Sequence, residues 1–177
     1  IESEISALSP QVAGLVSEVL VENNQRVKKG EVLLRLDNRN YQATLLQAKA
    51  QVESAKANIS TLEQQLALQK HVISQNQASL KRAKAEQKLS QSDVKRYKQL
   101  EKKQQISRQQ LEKAQTLLEQ SNANISANQS ALAAAKTTNH VLQAKIAQAQ
   151  SALKSAESGE HFAQLQLEHT NITAPFS

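Results

Sequence analysis

The sequence lacks the residues on which several kinds of functional site depend. Its 177 residues include no cysteine, methionine or tryptophan, only three glycines and two prolines, and 2% aromatic residues. The absence of cysteine excludes disulfides, thiolate metal sites and thiol nucleophiles. So few aromatic side chains cannot fill the interior of an ordinary globular domain of this length. The scarcity of glycine and proline instead favours long, uninterrupted helices.

Long apolar runs are also missing. No stretch approaches the roughly 20 consecutive apolar residues that a membrane-spanning helix needs. No signal peptide, with a charged segment followed by an apolar one, is present in the sequence. The chain does not begin with methionine. We therefore expect a processed protein or a segment of a longer one, with any anchor or export signal outside it.

Positive charge is concentrated in the middle of the chain. Residues 81–113 hold eleven Lys or Arg against four Asp or Glu, an excess larger than the net charge of +6 of the whole chain. Such a region is typical of a nucleic-acid-binding surface, of a surface for an acidic protein, or of a solvated helix face. Only Tyr97 lies beside the charges to stack on a base, which argues against nucleic acid.

The first forty residues predict three or four short strands. The β-branched runs lie at 12–16, 19–21 and 32–36. Gly14 and Gly30 suit turns or bulges that a Cβ would obstruct. Residues 170–173 predict a further strand near the other end of the sequence, before Ala174-Pro175.

Between these β segments the apolar period is seven. In the first predicted helix, one row takes every seventh residue from 45 to 94 and a second row every seventh residue from 41 to 97. In the second predicted helix, the corresponding rows take every seventh residue from 111 to 167 and from 114 to 163. They are the a and d positions of a coiled coil. We interpret the polar residues in these rows as devices that fix the register rather than as sites. They are Gln69, Asn76, Gln87, Asn128 and Asn139.

Two helices of matching length joined by a short connection fold back antiparallel. About 62 residues per arm at 1.5 Å rise predict a hairpin on the order of 90 Å long. Ser107 and Gln110 fit a capping box that starts the second helix. The interruption between the two helices therefore needs no glycine. Because the arms match, the strands near Leu36 and Ile172 are expected in one sheet.

The segment QVAGLVSEVLVENNQRVKKGEVLLRLD, residues 11–37, resembles the first half of the biotinyl/lipoyl-like domain of membrane fusion proteins (HlyD/EmrA type). These are the periplasmic adaptors of Gram-negative tripartite efflux pumps and type I secretion systems. The segment NITAPFS, residues 171–177, is similar to the strand that opens the second lipoyl half. Asn24 departs from the family, which frequently has glycine there.

The resemblance implies a mainly α fold with a small β module, in which a long antiparallel two-helix coiled-coil hairpin is inserted into an incomplete lipoyl-like β domain. Residues 1–38 would be the first lipoyl half, 39–169 the hairpin with its tip near 102–107, and 170–177 the first strand of the second half. In this family the hairpin replaces the turn with the modified lysine. We therefore expect no cofactor, metal site or catalytic residue, and no enzyme.

The stretch RYKQLEKKQQIS carries the most specific match. Adaptors of this type have an Arg, Leu and Ser triplet at the hairpin tip, spaced four and then seven apart, which engages a TolC-like outer-membrane channel. Arg96, Leu100 and Ser107 have these spacings. The resemblance implies that Arg96 donates hydrogen bonds to the partner, that Leu100 is an apolar anchor, and that Ser107 caps its helix. Further partner-binding candidates are Lys103 and Gln104. Alternatively, the arginine is solvated, the leucine shields the last seam layer, and the serine is only a cap.

The function implied is that of a periplasmic adaptor subunit linking an inner-membrane transporter to a TolC-like outer-membrane channel, for export of drugs or other substrates. Its long arms suggest a transporter with little periplasmic mass, of MFS or ABC type. We expect a homo-oligomer, a trimer or hexamer ring, in the periplasm, anchored to the inner membrane by a segment outside this chain. Off-seam residues available for lateral contacts are Leu68, Leu89, Leu117 and Val141.

Two other functional classes are alternatives. The first is a coiled-coil scaffold without a role in transport, which binds nucleic acid or an acidic partner through its basic middle. The second is an enzyme or carrier, but the four histidines form no i, i+4 pair and no acidic cluster accompanies them. His71 and His140 are expected at similar heights on opposite arms, so a metal contact between them stays open. Lys28 and Lys29, before a turn glycine, are interpreted as solvated.

Overall fold

The computed structural model describes residues 8–175. In chain order the elements are β1 (Val16–Val19), β2 (Val32–Leu36), α1 (Arg39–Lys102), α2 (Arg108–Glu168) and β3 (Asn171–Thr173). The predicted fold class, two long helices forming a hairpin plus a small antiparallel sheet, is confirmed. The chain divides into two compact units: one holds the sheet with the helix parts up to Ile59 and from Gln148, and the other is Ser60–Ala147.

The sheet joins strands from both ends of the sequence. Its order is β1-β2-β3, and both pairings are antiparallel. Leu34 pairs with Ile172, so the strands that precede and follow the hairpin share one sheet, as predicted. The Leu36 N–H donates to the carbonyl of Thr170 at 2.8 Å, and both residues are buried. These contacts fix the two ends of the hairpin to each other.

One strand differs from the prediction. Where the sequence predicts separate strands at 12–16 and 19–21, there is one strand, β1, which runs from the last residue of the first run to the first residue of the second (Val16–Val19). The preceding residues pack on the start of α1, because the Tyr41 hydroxyl donates to the Ala13 carbonyl at 2.7 Å. A Cβ added at Gly14 would lie 3.3 Å from the Leu36 Cβ, so the backbone passes closely there. Contacts distant in sequence therefore decide where β1 begins.

A left-handed backbone explains the departure at Asn24. Its φ is 64°, in the region that glycine adopts freely and that asparagine tolerates better than most residues. The Gln25 N–H donates to the Glu22 carbonyl at 3.2 Å and closes the turn. Gly30, with φ 85°, occupies the same region in the turn before β2. Asparagine thus supplies here the conformation for which glycine is the usual choice.

An ion pair lies at the start of α1. Asp37 accepts side-chain hydrogen bonds from Arg39, the shortest of them 2.6 Å, and a backbone N–H bond from the same residue at 3.2 Å. These bonds lower the pKa of Asp37 to about 2, so its carboxylate is charged at neutral pH. A negative charge just before the N-terminus of a helix interacts favourably with the helix dipole.

The seam between the helices follows the predicted heptads. Every predicted a and d position is buried or half-buried in both helices. The buried ones are Leu45, Val52, Ala83, Val94, Leu111, Ala114, Ala135, Ala149 and Ala163. Many of them are alanine, so the two backbones approach closely. The off-seam Leu68, Leu89, Leu117 and Val141 are exposed.

Polar seam residues form hydrogen bonds from one arm to the other. The Gln69 amide donates to the Ala135 carbonyl at 2.8 Å, and the Gln87 amide donates to Asn122 Oδ1 at 2.6 Å. A displaced heptad register would break these bonds, which supports their interpretation as register devices. Asn128 differs, because its amide donates to the Asn124 carbonyl within its own helix at 2.8 Å.

Asn139 is an uncompensated polar group in the seam. Its Oδ1 is buried and has no hydrogen-bond partner among residues 8–175. We expect Asn139→Leu to stabilise the hairpin by about 1–2 kcal/mol, since it removes an unsatisfied acceptor and adds apolar surface at an a position. The free energy of unfolding in urea, followed by circular dichroism, measures the change.

Gln69→Leu is the matched control, because it also places leucine in the seam but removes an amide that has a partner. Its gain should be smaller than that of Asn139→Leu. Equal gains in the two variants would show that the unpaired oxygen costs nothing.

The turn between the helices closes α1 with a Schellman motif. The Gln105 N–H donates to the Leu100 carbonyl at 3.0 Å, and the Gln104 N–H donates to the Glu101 carbonyl at 2.8 Å. Gln104 has φ 55°, the left-handed conformation that this motif requires and that glycine usually supplies. A β-carbon is strained there, so α1 ends at some conformational cost.

The predicted capping box then opens α2. The Gln110 N–H donates to Ser107 Oγ at 3.4 Å, and the Ser107 N–H donates to Gln110 Oε1 at 3.3 Å. The Gln110 N–H also donates to the Ser107 carbonyl at 3.0 Å, and the reciprocal side-chain pair adds a partner for the Ser107 N–H, which no helical carbonyl can reach. The sequence prediction of the cap is therefore confirmed. The cap starts α2, whereas the Schellman motif ends α1.

Gln104→Gly should stabilise the turn by about 1 kcal/mol, because glycine adopts the left-handed backbone without strain. Urea unfolding measures the gain. Gln105→Gly is the control, since residue 105 is not among the described residues with positive φ. It should lose stability through added backbone freedom in the unfolded chain. A loss in both variants would contradict the strain assigned to residue 104.

Candidate partner-binding site at the hairpin tip

The predicted site residues lie on both sides of the turn. Arg96 and Leu100 are one turn apart near the end of α1, and Ser107 is the residue before α2. Lys103 and Gln104 lie in the turn and are exposed. Among the described residues, no hydrogen bond joins Arg96, Leu100 and Ser107 to one another. They are brought to the same end of the hairpin without forming a single bonded cluster.

Arg96 is exposed but already has an acceptor. Its Nη2 donates to Asp93 Oδ1 at 2.6 Å, and its guanidinium lies 5.4 Å from the centre of the Tyr97 ring. The side chain is still 62% exposed. Arginine has five N–H donors, so one bond to Asp93 leaves several free for a partner. The ion pair therefore orients the guanidinium and does not block it.

Leu100 is half-buried, and its carbonyl anchors the turn. The N–H groups of Lys103 and Gln105 donate to it at 3.1 and 3.0 Å. The residue is neither buried nor fully exposed, so part of its surface stays open to a partner. Both interpretations of Leu100, as seam shield and as anchor for a partner, are compatible with this placement.

Ser107 is exposed and acts as a cap. Its oxygen accepts from the Gln110 N–H at 3.4 Å, while the hydroxyl proton has no acceptor in the capping box. Its first role is structural, because it fixes where α2 starts. A hydrogen bond from its hydroxyl to a partner would not disturb the cap.

A groove that sequence reasoning missed lies next to the turn, between the two helices. Its volume is about 360 Å³, and Tyr97, Ile106 and Leu117 form its apolar surface. Asp93 and Lys113 also line it. Ile106 was the available signal, since it is the only large apolar residue between Leu100 and Leu111 in a very polar stretch. The groove adds a place where a partner's apolar side chain can insert beside Arg96.

The tip offers groups suited to binding. Within the described part of the chain, no group of three or more His, Cys, Asp or Glu residues could hold a metal ion. His71 and His140 are both exposed. None of the helices between residues 8 and 175 is long and apolar enough to cross a membrane. What the tip presents is hydrogen-bond donors, cations and a small apolar groove, which suits contact with another protein.

Several known proteins are similar to this chain in sequence. The colistin resistance protein EmrA of Acinetobacter baumannii is 31% identical over 116 residues, which are 66% of this chain and 33% of that protein. The multidrug resistance protein MdtN of Shigella flexneri is 27% identical over 171 residues, 94% of this chain and 48% of that protein. The chain thus spans between a third and about half of the length of these relatives.

The solved structure of the periplasmic adaptor protein EmrA has the same fold. Its TM-score is 0.51 at 23% sequence identity, and the match covers 98% of this chain and 64% of that one. The family model of the YBHG alpha-helical hairpin domain matches residues 36–170, which include both helices. The resemblance to membrane fusion proteins is confirmed, and the chain belongs to the family of the YBHG alpha-helical hairpin domain.

Proposed function

We propose that this chain is the hairpin-bearing part of a periplasmic adaptor that links an inner-membrane transporter to a TolC-like outer-membrane channel. The observation that carries the proposal is the composition of the tip: exposed donors and a small apolar groove at the turn of a hairpin whose family is shown. The transported substrates would be drugs or similar compounds, as the names of the relatives suggest for those proteins.

Docking would proceed through Arg96, Leu100 and Ser107, with Lys103 and Gln104 beside them. Arg96 would donate to carbonyl or carboxylate oxygens of the channel, because its guanidinium is exposed and held in place by Asp93. The open part of Leu100 would bury against an apolar surface. Ser107 would keep the turn in shape. Such a contact is small, so several copies of the hairpin would be needed for a stable assembly.

The remaining parts of the proposal concern the whole protein. The transporter would be of MFS or ABC type, since long arms suit a transporter with little periplasmic mass. The adaptor would form a trimer or hexamer ring and would be anchored to the inner membrane. The exposed Leu68, Leu89, Leu117 and Val141 would be available for lateral contacts between hairpins.

Arg96→Ala tests the docking, with Arg82→Ala as a matched control. Arg82 is also exposed and lies two heptads earlier at the same heptad position, so both variants remove one arginine from the same side of α1. Arg96→Ala should weaken binding to the purified channel by about 2 kcal/mol, about thirtyfold in Kd, because a charge-assisted contact is lost. Arg82→Ala should leave binding unchanged. Surface plasmon resonance with the full-length adaptor measures both.

Site-directed crosslinking in exporting cells gives an independent readout. A cysteine at Gln104 should capture the outer-membrane channel, and one at the exposed Gln129 on α2 should not. Equal losses for both arginine variants would contradict docking at the tip. Capture of the channel at Gln129 but never at Gln104 would contradict it as well.

A further inference from the structure

Six lysines form a single line on the surface of α1. They recur at alternating spacings of three and four residues, the period of a helix face, and all are exposed. We name them the lysine stripe: Lys81, Lys84, Lys88, Lys95, Lys98 and Lys102. Gln91 fills the one remaining position in the line, so no acidic residue interrupts it from 81 to 102.

Acidic residues of the same part of α1 lie elsewhere. Glu86 and Asp93 are at the heptad position on the opposite side of the seam, and Glu101 continues the seam row of Val94. Asp93 is hydrogen-bonded to Arg96. On α2, Glu112 is paired with Arg108 at 3.1 Å. Within residues 8–175, none of the recorded ion pairs involves a lysine of the stripe. The stripe is therefore a row of positive charge whose lysines take part in no ion pair within the described chain.

The same heptad positions carry mixed charge earlier in α1. There Glu53 and Glu63 alternate with Lys49, Lys56 and Lys70. Lys56 Nζ lies 2.8 Å from Glu53 Oε1. A helix face of mixed charge is solvated as well as a face of lysines, so solvation alone does not require lysine at every position. The restriction to lysine between 81 and 102 is thus a local property and not a general feature of the helix.

The stripe is unfavourable for the isolated helix. Lysines three or four residues apart on one face repel each other and destabilise a helix. The helix dipole favours cations only in the last turn, which accounts for Lys102 but not for Lys81, Lys84 or Lys88. A partner that supplies negative charge along the line would relieve this repulsion.

A groove accompanies the stripe. It has a volume of about 570 Å³ and is lined by Lys88, Lys95 and Lys98 together with the apolar Val94 and Leu118. A helix that lay in it would place side chains against an apolar floor and carboxylates against the lysines. The groove is distinct from the one at Tyr97, which opens on the other side of the seam.

The chemistry of the stripe favours an acidic helix over other anions. Nucleic acid is disfavoured because the stripe contains no arginine for bidentate phosphate contacts and no aromatic residue for stacking. A membrane surface is disfavoured because insertion needs large apolar residues beside the cations, and only Leu89 is nearby and exposed. A second copy of this chain has no acidic row of matching length, since only Glu157 and Glu160 among the acids of its two helices are three or four residues apart.

We propose that the lysine stripe and its groove bind an acidic helix of a partner protein, which lies along α1 with Asp or Glu at spacings of three and four residues. Those spacings match the stripe, because both helices have the same rise and turn. The contact is lateral, and it is separate from docking at the tip. It would persist if docking through Arg96 were disproved.

Two synthetic helical peptides of identical composition provide the probes. In one peptide the glutamates follow the spacing of three and four on a single face, and in its isomer they are distributed around the helix. Binding to the full chain is measured by fluorescence anisotropy at about 50 mM salt, where exposed charges still interact. The single-face peptide should bind about tenfold more tightly than the isomer.

Two triple variants with equal charge change locate the binding. K84Q/K88Q/K95Q should weaken the single-face peptide about tenfold, as expected for the loss of three exposed ion pairs. K49Q/K56Q/K70Q, which removes three exposed lysines from the same heptad positions, should change it less than about twofold. Arg96→Ala should leave peptide binding unaltered, which separates this site from the tip.

Four outcomes would overturn the proposal. Equal binding of the two peptides would show that only net charge matters and not the arrangement of the lysines. Equal loss in the two triple variants would show that the peptide does not bind at the stripe. Tighter, stripe-dependent binding of duplex DNA or of vesicles containing phosphatidylglycerol would assign it to another partner class. Self-association that only K84Q/K88Q/K95Q abolishes, seen by analytical ultracentrifugation, would assign it to a second copy.

Discussion

The narrow seam between α1 and α2 is the constraint on which the rest of the structure depends. Two helices alone cannot enclose a core, so apolar burial is limited to the a and d positions, and many of those are alanine. Because each layer buries little, stability has to come from many layers, and long arms follow from that. The polar bonds from Gln69 and Gln87 then select one register among several of similar apolar burial.

With a seam of this kind, most surface residues do not contribute to packing between the helices. Positions outside a and d are nearly all exposed, so their side chains can be chosen for binding at little cost to the fold. The lysine stripe illustrates this freedom, since its residues are exposed, lie outside the a and d rows and take part in no ion pair within residues 8–175. Arg96 is an intermediate case, because Asp93 holds it in place while most of its donors stay available.

Sequence periodicity predicted the helices, the seam and the capping box because these depend on neighbours within a few residues. The start of β1 was mispredicted, because the Tyr41 hydroxyl and Leu36 decide it from a distance. The left-handed Gln104 was also missed, since nothing in the residue type indicates a Schellman motif without glycine. At the tip, the sequence identified Arg96 and Leu100 as candidates, but the groove at Tyr97 depends on how two helices meet, which no local pattern contains.

The turn shows how one short segment can serve both stability and recognition. Leu100 closes α1 with its backbone carbonyl, and Ser107 opens α2 with its hydroxyl oxygen. Both structural duties use atoms other than those that would face a partner, which are the leucine side chain and the serine proton. A partner can therefore bind without unfolding the turn, and the strained Gln104 between them keeps its side chain in solvent. In the proposed docking, recognition and closure would use different atoms of the same residues.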